Sequence, residues 1–130
     1  MALSCLALPM FAQEPRQEYC EIIVWSHQIM FGAAMSFDFG MQSNNTVMLY
    51  DTKNQPLKFI TGMDAVNYLS KRGWKLVSTY YESISESESI HFVMEKTIMD
   101  EKQVKAGLNM RQIKLEDFFR MFGLPNFSPN

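Results

Sequence analysis

The chain has 130 residues, 47% of them hydrophobic, with a formal net charge of -2 at pH 7. That is the length of one domain with a modest core, and without a concentrated basic field it makes no electrostatic case for a nucleic-acid partner. Beyond the first twelve residues no apolar run approaches the ~20 residues of a membrane-spanning helix, while 10 Phe and 11 Met promise a core with an adaptable, thioether-rich filling.

Met1–Ala12 is an uncharged apolar run ending in Pro9-Met10-Phe11-Ala12. It reads as the hydrophobic part and cleavage region of a secretory signal, with Ala12 the last residue removed, although the basic start of such a signal is missing. The reading predicts an exported, periplasmic or cell-surface protein. The alternative is a cytoplasmic protein whose first residues are an ordinary buried segment. Cys5 would leave with the signal and Cys20 would stay alone, so the mature chain would form no internal disulfide. Residues 13–18 read as a flexible leader, 19–124 as a single domain and 125–130 as a tail.

Tyr19, Cys20, Ile22, Ile23, Val24 and Trp25 form a strongly strand-prone run. In Met30–Gln42 the residues Met35, Phe37, Phe39 and Met41 alternate with Ser36, Asp38 and Gly40, which predicts a strand with one wet face. Val47–Tyr50 is a short strand candidate. The turn Asp51–Pro56 follows, with Leu57–Ile60 placed to pair back across it. Thr61 and Asp64 then stand three apart as an imperfect capping box. Met63, Val66, Tyr68 and Leu69 supply an apolar helical stripe, and Gly73 suits the left-handed cap that ends it.

A strand leaves that helix directly. Strict alternation puts Trp74, Leu76, Ser78 and Tyr80 on the core face and Lys75, Val77, Thr79 and Tyr81 on the other. The pattern is broken at two places: Val77 interrupts the polar set and Ser78 the apolar one. Glu82–Ser89 reads as an exposed acidic hairpin connection, and Ile90, Phe92 and Met94 restart the alternation in a return strand. Leu115, Phe118, Phe119 and Phe122 fall at helical spacing before Gly123-Leu124-Pro125. These phenylalanines either close the far side of the sheet or dock on a neighbouring subunit. The predicted class is α+β: an antiparallel or mixed sheet of four to five strands, packed by one central helix and a C-terminal helix.

The segment Gly62–Val77, with its Gly73-Trp74-Lys75-Leu76-Val77 stretch, resembles small bacterial domains of unknown function in which a helix runs into a Gly-Trp-Glu-Leu-Val strand. Lys75 stands where those domains carry Glu, and the stretch between Met30 and Ile60 is longer than theirs. The leader is similar to signals of exported Bacteroides-type proteins, which end in Phe-Ala-Gln. The resemblance implies a fold for about half the chain and assigns no catalytic residue or ligand.

Chemical motifs are sparse. Neither His27 nor His91 lies in a metal-ligand spacing, no serine sits in a nucleophile elbow, and the glycines form no phosphate loop. Ser83, Ser85, Ser87 and Ser89 fall in a stretch that scaffolds a nucleophile poorly. The expectation is therefore a non-enzymatic exported domain without cofactor or metal, acting through a protein partner or self-association. Its candidate contact surface comprises Trp25, Tyr80, Tyr81, Phe118 and Phe122. The rival is a module that binds a small apolar molecule or glycan, or a minor enzyme that acts on one, in a pocket lined by Phe and Met.

Overall fold

A computed structural model describes residues 14–25, 34–40, 44–84 and 87–123. Met1–Ala12, His27, the beginning and end of Met30–Gln42, Ser85-Glu86 and the residues after Gly123 lie outside these, and with them the signal segment and the tail.

Among the described residues six strands form one antiparallel sheet: β1 (Arg16–Trp25), β2 (Ala34–Asp38), β3 (Asn45–Tyr50), β4 (Lys75–Ile84), β5 (Ser87–Ile98) and β6 (Asn109–Lys114). Their order is β4-β5-β1-β2-β3-β6. Among the described residues two helices, α1 (Gly62–Ser70) and α2 (Leu115–Met121), accompany the sheet, with a 3-10 turn at Glu101–Val104. The α+β class is as predicted, but the sheet has six strands rather than four to five. β1 begins at Arg16 and so takes in the end of the stretch read as a leader.

The period-2 geometry of strands gives each face its own core. On one face Cys20, Ile22, Met35, Phe37, Val47, Leu49 and Met94 pack with Ala65, Val66 and Leu69 of α1. On the other, Ala34 and Met48 pack with Phe118 and Phe119 of α2, and Trp25 meets Phe119 edge-on at 5.2 Å. Asp38 and Gly40 stay exposed on the wet face expected for β2, but Ser36 on the same side is fully buried. The reason is α2, which covers part of the side that alternation alone assigns to water. The phenylalanines of α2 thus close their own sheet.

The α1 unit follows its local signals. The Thr61 hydroxyl accepts the Asp64 amide while the Asp64 carboxylate accepts the Thr61 and Ile60 amides, a complete capping box. Gly73 takes φ +97 just beyond the last turn, a value that strongly favours glycine. Arg72 then ties the helix end to the loop before β6: its Nε donates to the Gly107 carbonyl, and its guanidinium lies 3.5 Å over the Tyr68 ring. Trp74 is wedged into the core, although its indole N–H finds no hydrogen-bond acceptor among the described residues.

Three further expectations are corrected. A register shift between Leu76 and Ser78 moves the alternation of β4 by one residue. Leu76 faces the α1 core opposite Met94, but Tyr80 pairs with His91 on the other face. Second, the polar stretch Glu82–Ser89 is no loop over its described residues, since Glu82↔Ser89, Ser83↔Glu88 and Ile84↔Ser87 continue the ladder. Third, Leu57–Ile60 pairs back across the turn only at its start. The segment is a strap held to β3 by the Tyr50↔Pro56 bridge and by the Leu57 amide donating to the Leu49 carbonyl at 2.9 Å.

Candidate functional site

The seam between β2 and β3 is loosely made, because the two strands pair in register only at Phe37↔Val47. A cavity of about 530 Å³ lies beside it. Its wall takes Met35, Phe37 and Leu49 from the α1 face and Met48 from the α2 face. Leu57, Phe59 and Ile60 of the strap and Met121 and Phe122 at the end of α2 complete the apolar lining. The strap is positioned by the Asp51 turn, where the Asp51 carboxylate accepts the Lys53 and Gln55 amides, and by the edge-on contact of Phe59 with Phe37 and Tyr68. Lys58 is the only charged residue in the described lining, and among the described residues it makes no ion pair.

A second, polar constellation occupies the α2 face over β1, β4 and β5. His91 is buried, and its Nδ1 lies 2.7 Å from Glu21 Oε1. Its Nε2 lies 3.0 Å from Ser89 Oγ and 3.2 Å from Glu82 Oε1. The Tyr80 ring stacks on the imidazole at 4.3 Å, and its hydroxyl donates to Glu21 at 2.8 Å. Burial, together with that hydrogen bond to Glu21, raises the Tyr80 phenol above its ordinary value.

Ser89, His91 and Glu21 therefore stand in the order of a hydrolytic relay. Three features weigh against nucleophilic use. Ser89 is buried at 3% exposure. Glu82 shares the ring nitrogen that would have to take the serine proton. The sheet also pairs Ser89 on both sides, with Glu82 and with Trp25, so neighbouring amides serve ladders rather than an oxyanion. The arrangement suits a satisfied polar network that ties three strands together.

Of the residues proposed from sequence as a contact surface, Trp25, Phe118 and Phe122 share one core cluster, while Tyr80 and Tyr81 stand apart from it on β4. Tyr80 and Tyr81 are both exposed, at 43% and 59%, on opposite faces of β4, where one was expected in the core. Tyr81 donates to the Glu88 carboxylate, which raises its phenol. Trp25 is half-buried against Phe119, Phe118 is fully buried, and Phe122 borders the cavity. Among the described residues no cluster of His, Cys, Asp and Glu could hold a metal ion, and no helix is long and apolar enough to cross a membrane.

Sequence reasoning missed Met48, Leu57, Lys58, Phe59 and Ile60 as a group and did not connect Glu21 with His91. The one available signal was composition, since an excess of Phe and Met suggested an apolar pocket without locating it. No protein-family model matches the chain, and no curated protein or solved structure shows significant similarity to it.

Proposed function

We propose that this domain is an exported, non-catalytic binding module that takes a small apolar molecule into the cavity between the β2–β3 seam and the Leu57–Ile60 strap. One observation carries the reading: about 530 Å³ of space walled by Met and Phe side chains, within the range of small-molecule sites. Methionine suits such a wall because its unbranched thioether adapts to the shape of a guest. The export part rests on the Met1–Ala12 segment and requires that protein recovered from cells begin at Gln13.

The cavity is tested with the neutral dye 1-N-phenylnaphthylamine, whose fluorescence rises in apolar surroundings. The protein is expected to bind it saturably, at one dye per chain. Leu57→Trp, which puts bulk into the space from a residue outside the strands, should weaken binding at least tenfold while circular dichroism stays native. Absence of saturable binding, or binding indifferent to Leu57→Trp, overturns the reading.

A second reading has an observation of its own. β4 is a ten-residue edge strand on which Val77, Tyr80 and Tyr81 are exposed, beside the exposed Ile90 of β5. Such an edge supports contact with another protein or with a second copy of this chain.

A further inference from the structure

Resting on the cavity reading, we infer that the guest is an anionic amphiphile: an alkyl or aryl chain inside the cavity with a carboxylate or similar head held by Lys58. Lys58 is the only charged side chain in the described lining, so it decides which kind of charged head the site tolerates. Lys58 is exposed and, among the described residues, carries no ion pair or hydrogen bond that a ligand head would have to displace. Its neighbours in the strap, Leu57 and Phe59, line the wall and are half-buried. Apolar wall and charge thus alternate within three consecutive residues of the strap. The nearest carboxylates in sequence are already engaged, Asp51 by the Lys53 and Gln55 amides and Asp64 by the Ile60 and Thr61 amides.

Chain and head contribute differently. Each methylene buried in an apolar site strengthens binding about fourfold, until the space is full. An ion pair at an exposed lysine adds a smaller factor, roughly fivefold at low salt, and fades as salt rises. Affinity should therefore climb with chain length, and the head should set the preference among equal chains.

The test displaces 1-N-phenylnaphthylamine from the full chain with decanoate, 1-decanol and decyltrimethylammonium at low ionic strength, then repeats the series with Lys58→Met. Decanoate is expected to displace the dye at roughly fivefold lower concentration than decanol, with the cation weakest. Lys58→Met should bring the acid-to-alcohol ratio close to one, and dodecanoate should bind more tightly than octanoate. If the dye binds but decanoate and decanol are equivalent, or the ratio survives Lys58→Met, the head-group assignment is overturned and the cavity stands. Failure of both alkyl compounds to displace a bound dye has the same meaning. If the dye itself does not bind, cavity and head-group readings fall together.

Discussion

Cys20 shows how burial governs a single group. The thiol sits in β1 at 2% exposure, and burial, seconded by the carboxylates of Asp38 and Glu21, pushes its pKa from 9.0 up to about 12. It is therefore an inert core residue at neutral pH, and a maleimide should label it only as fast as the protein unfolds. The same shift makes stability depend on alkali. A thiol whose folded pKa is raised contributes fully below pH 9, and the contribution is lost as pH climbs towards 12, because the unfolded chain ionises first. Between pH 8 and pH 10.5 the wild type should lose about 2 kcal/mol more unfolding free energy than Cys20→Ala. Urea unfolding at the two pH values measures this, and equal losses would show that the thiol is not the titrating group. His91 illustrates the opposite solution, a buried polar ring whose two nitrogens both face oxygen atoms of neighbouring strands.

Between elements, α1 approaches the sheet closely at Gly62. A Cβ there would come within 2.5 Å of the Phe92 ring and 3.2 Å of Val24. Alanine would favour the helix by up to about 1 kcal/mol, but the collision displaces an aromatic ring and costs about 1–3 kcal/mol. Gly62→Ala should therefore lower the urea midpoint. In a Phe92→Leu background, where the ring is gone, the same substitution should become neutral or stabilising. A stabilising effect in the wild type would mean that the helix does not sit this close. The α1 unit was legible because Thr61, Asp64 and Gly73 act within a few residues of one another. What stayed hidden depends on partners far along the chain. β6 shows no alternation because its two apolar residues face opposite ways, Met110 to the α1 core and Ile113 to the α2 core. The bulge in β4 left a trace in the misplaced Val77 and Ser78, but only pairing with β5 turns that trace into a shifted register. The serine- and glutamate-rich hairpin reads as solvated until its strands are seen paired. The cavity draws its wall from β2, β3, the strap and α2, so no local spacing announces it.

For the whole molecule, α1 and α2 each cover part of one sheet face, and β4 and β6 are its outermost strands among the described residues. β4 is the longer edge, and it carries Val77, Tyr80 and Tyr81 in place of the closely spaced charges that usually protect such strands. On the α1 face Tyr81 stands directly opposite Ile90, so two exposed apolar side chains form one cross-strand pair. Pairing through this edge would satisfy free backbone groups and bury that pair at once, and an antiparallel β4–β4 contact closes as a two-fold dimer without inviting further growth. Phe118 cannot supply such a contact, because its side chain is already enclosed beneath α2. The expectation is a dimer at tens of micromolar that dissociates on dilution. Tyr81→Lys should hold the protein monomeric without harming the fold: the side chain is exposed, and a lysine there would meet Glu88, which now accepts from the tyrosine hydroxyl. Light scattering decides the matter. A wild type with the mass of one chain at every concentration removes self-association through this edge and leaves the cavity as the working surface. A dimer that survives Tyr81→Lys places the contact elsewhere. A dimer abolished by Tyr81→Lys with dye binding intact would show that association and ligand capture use separate parts of the molecule.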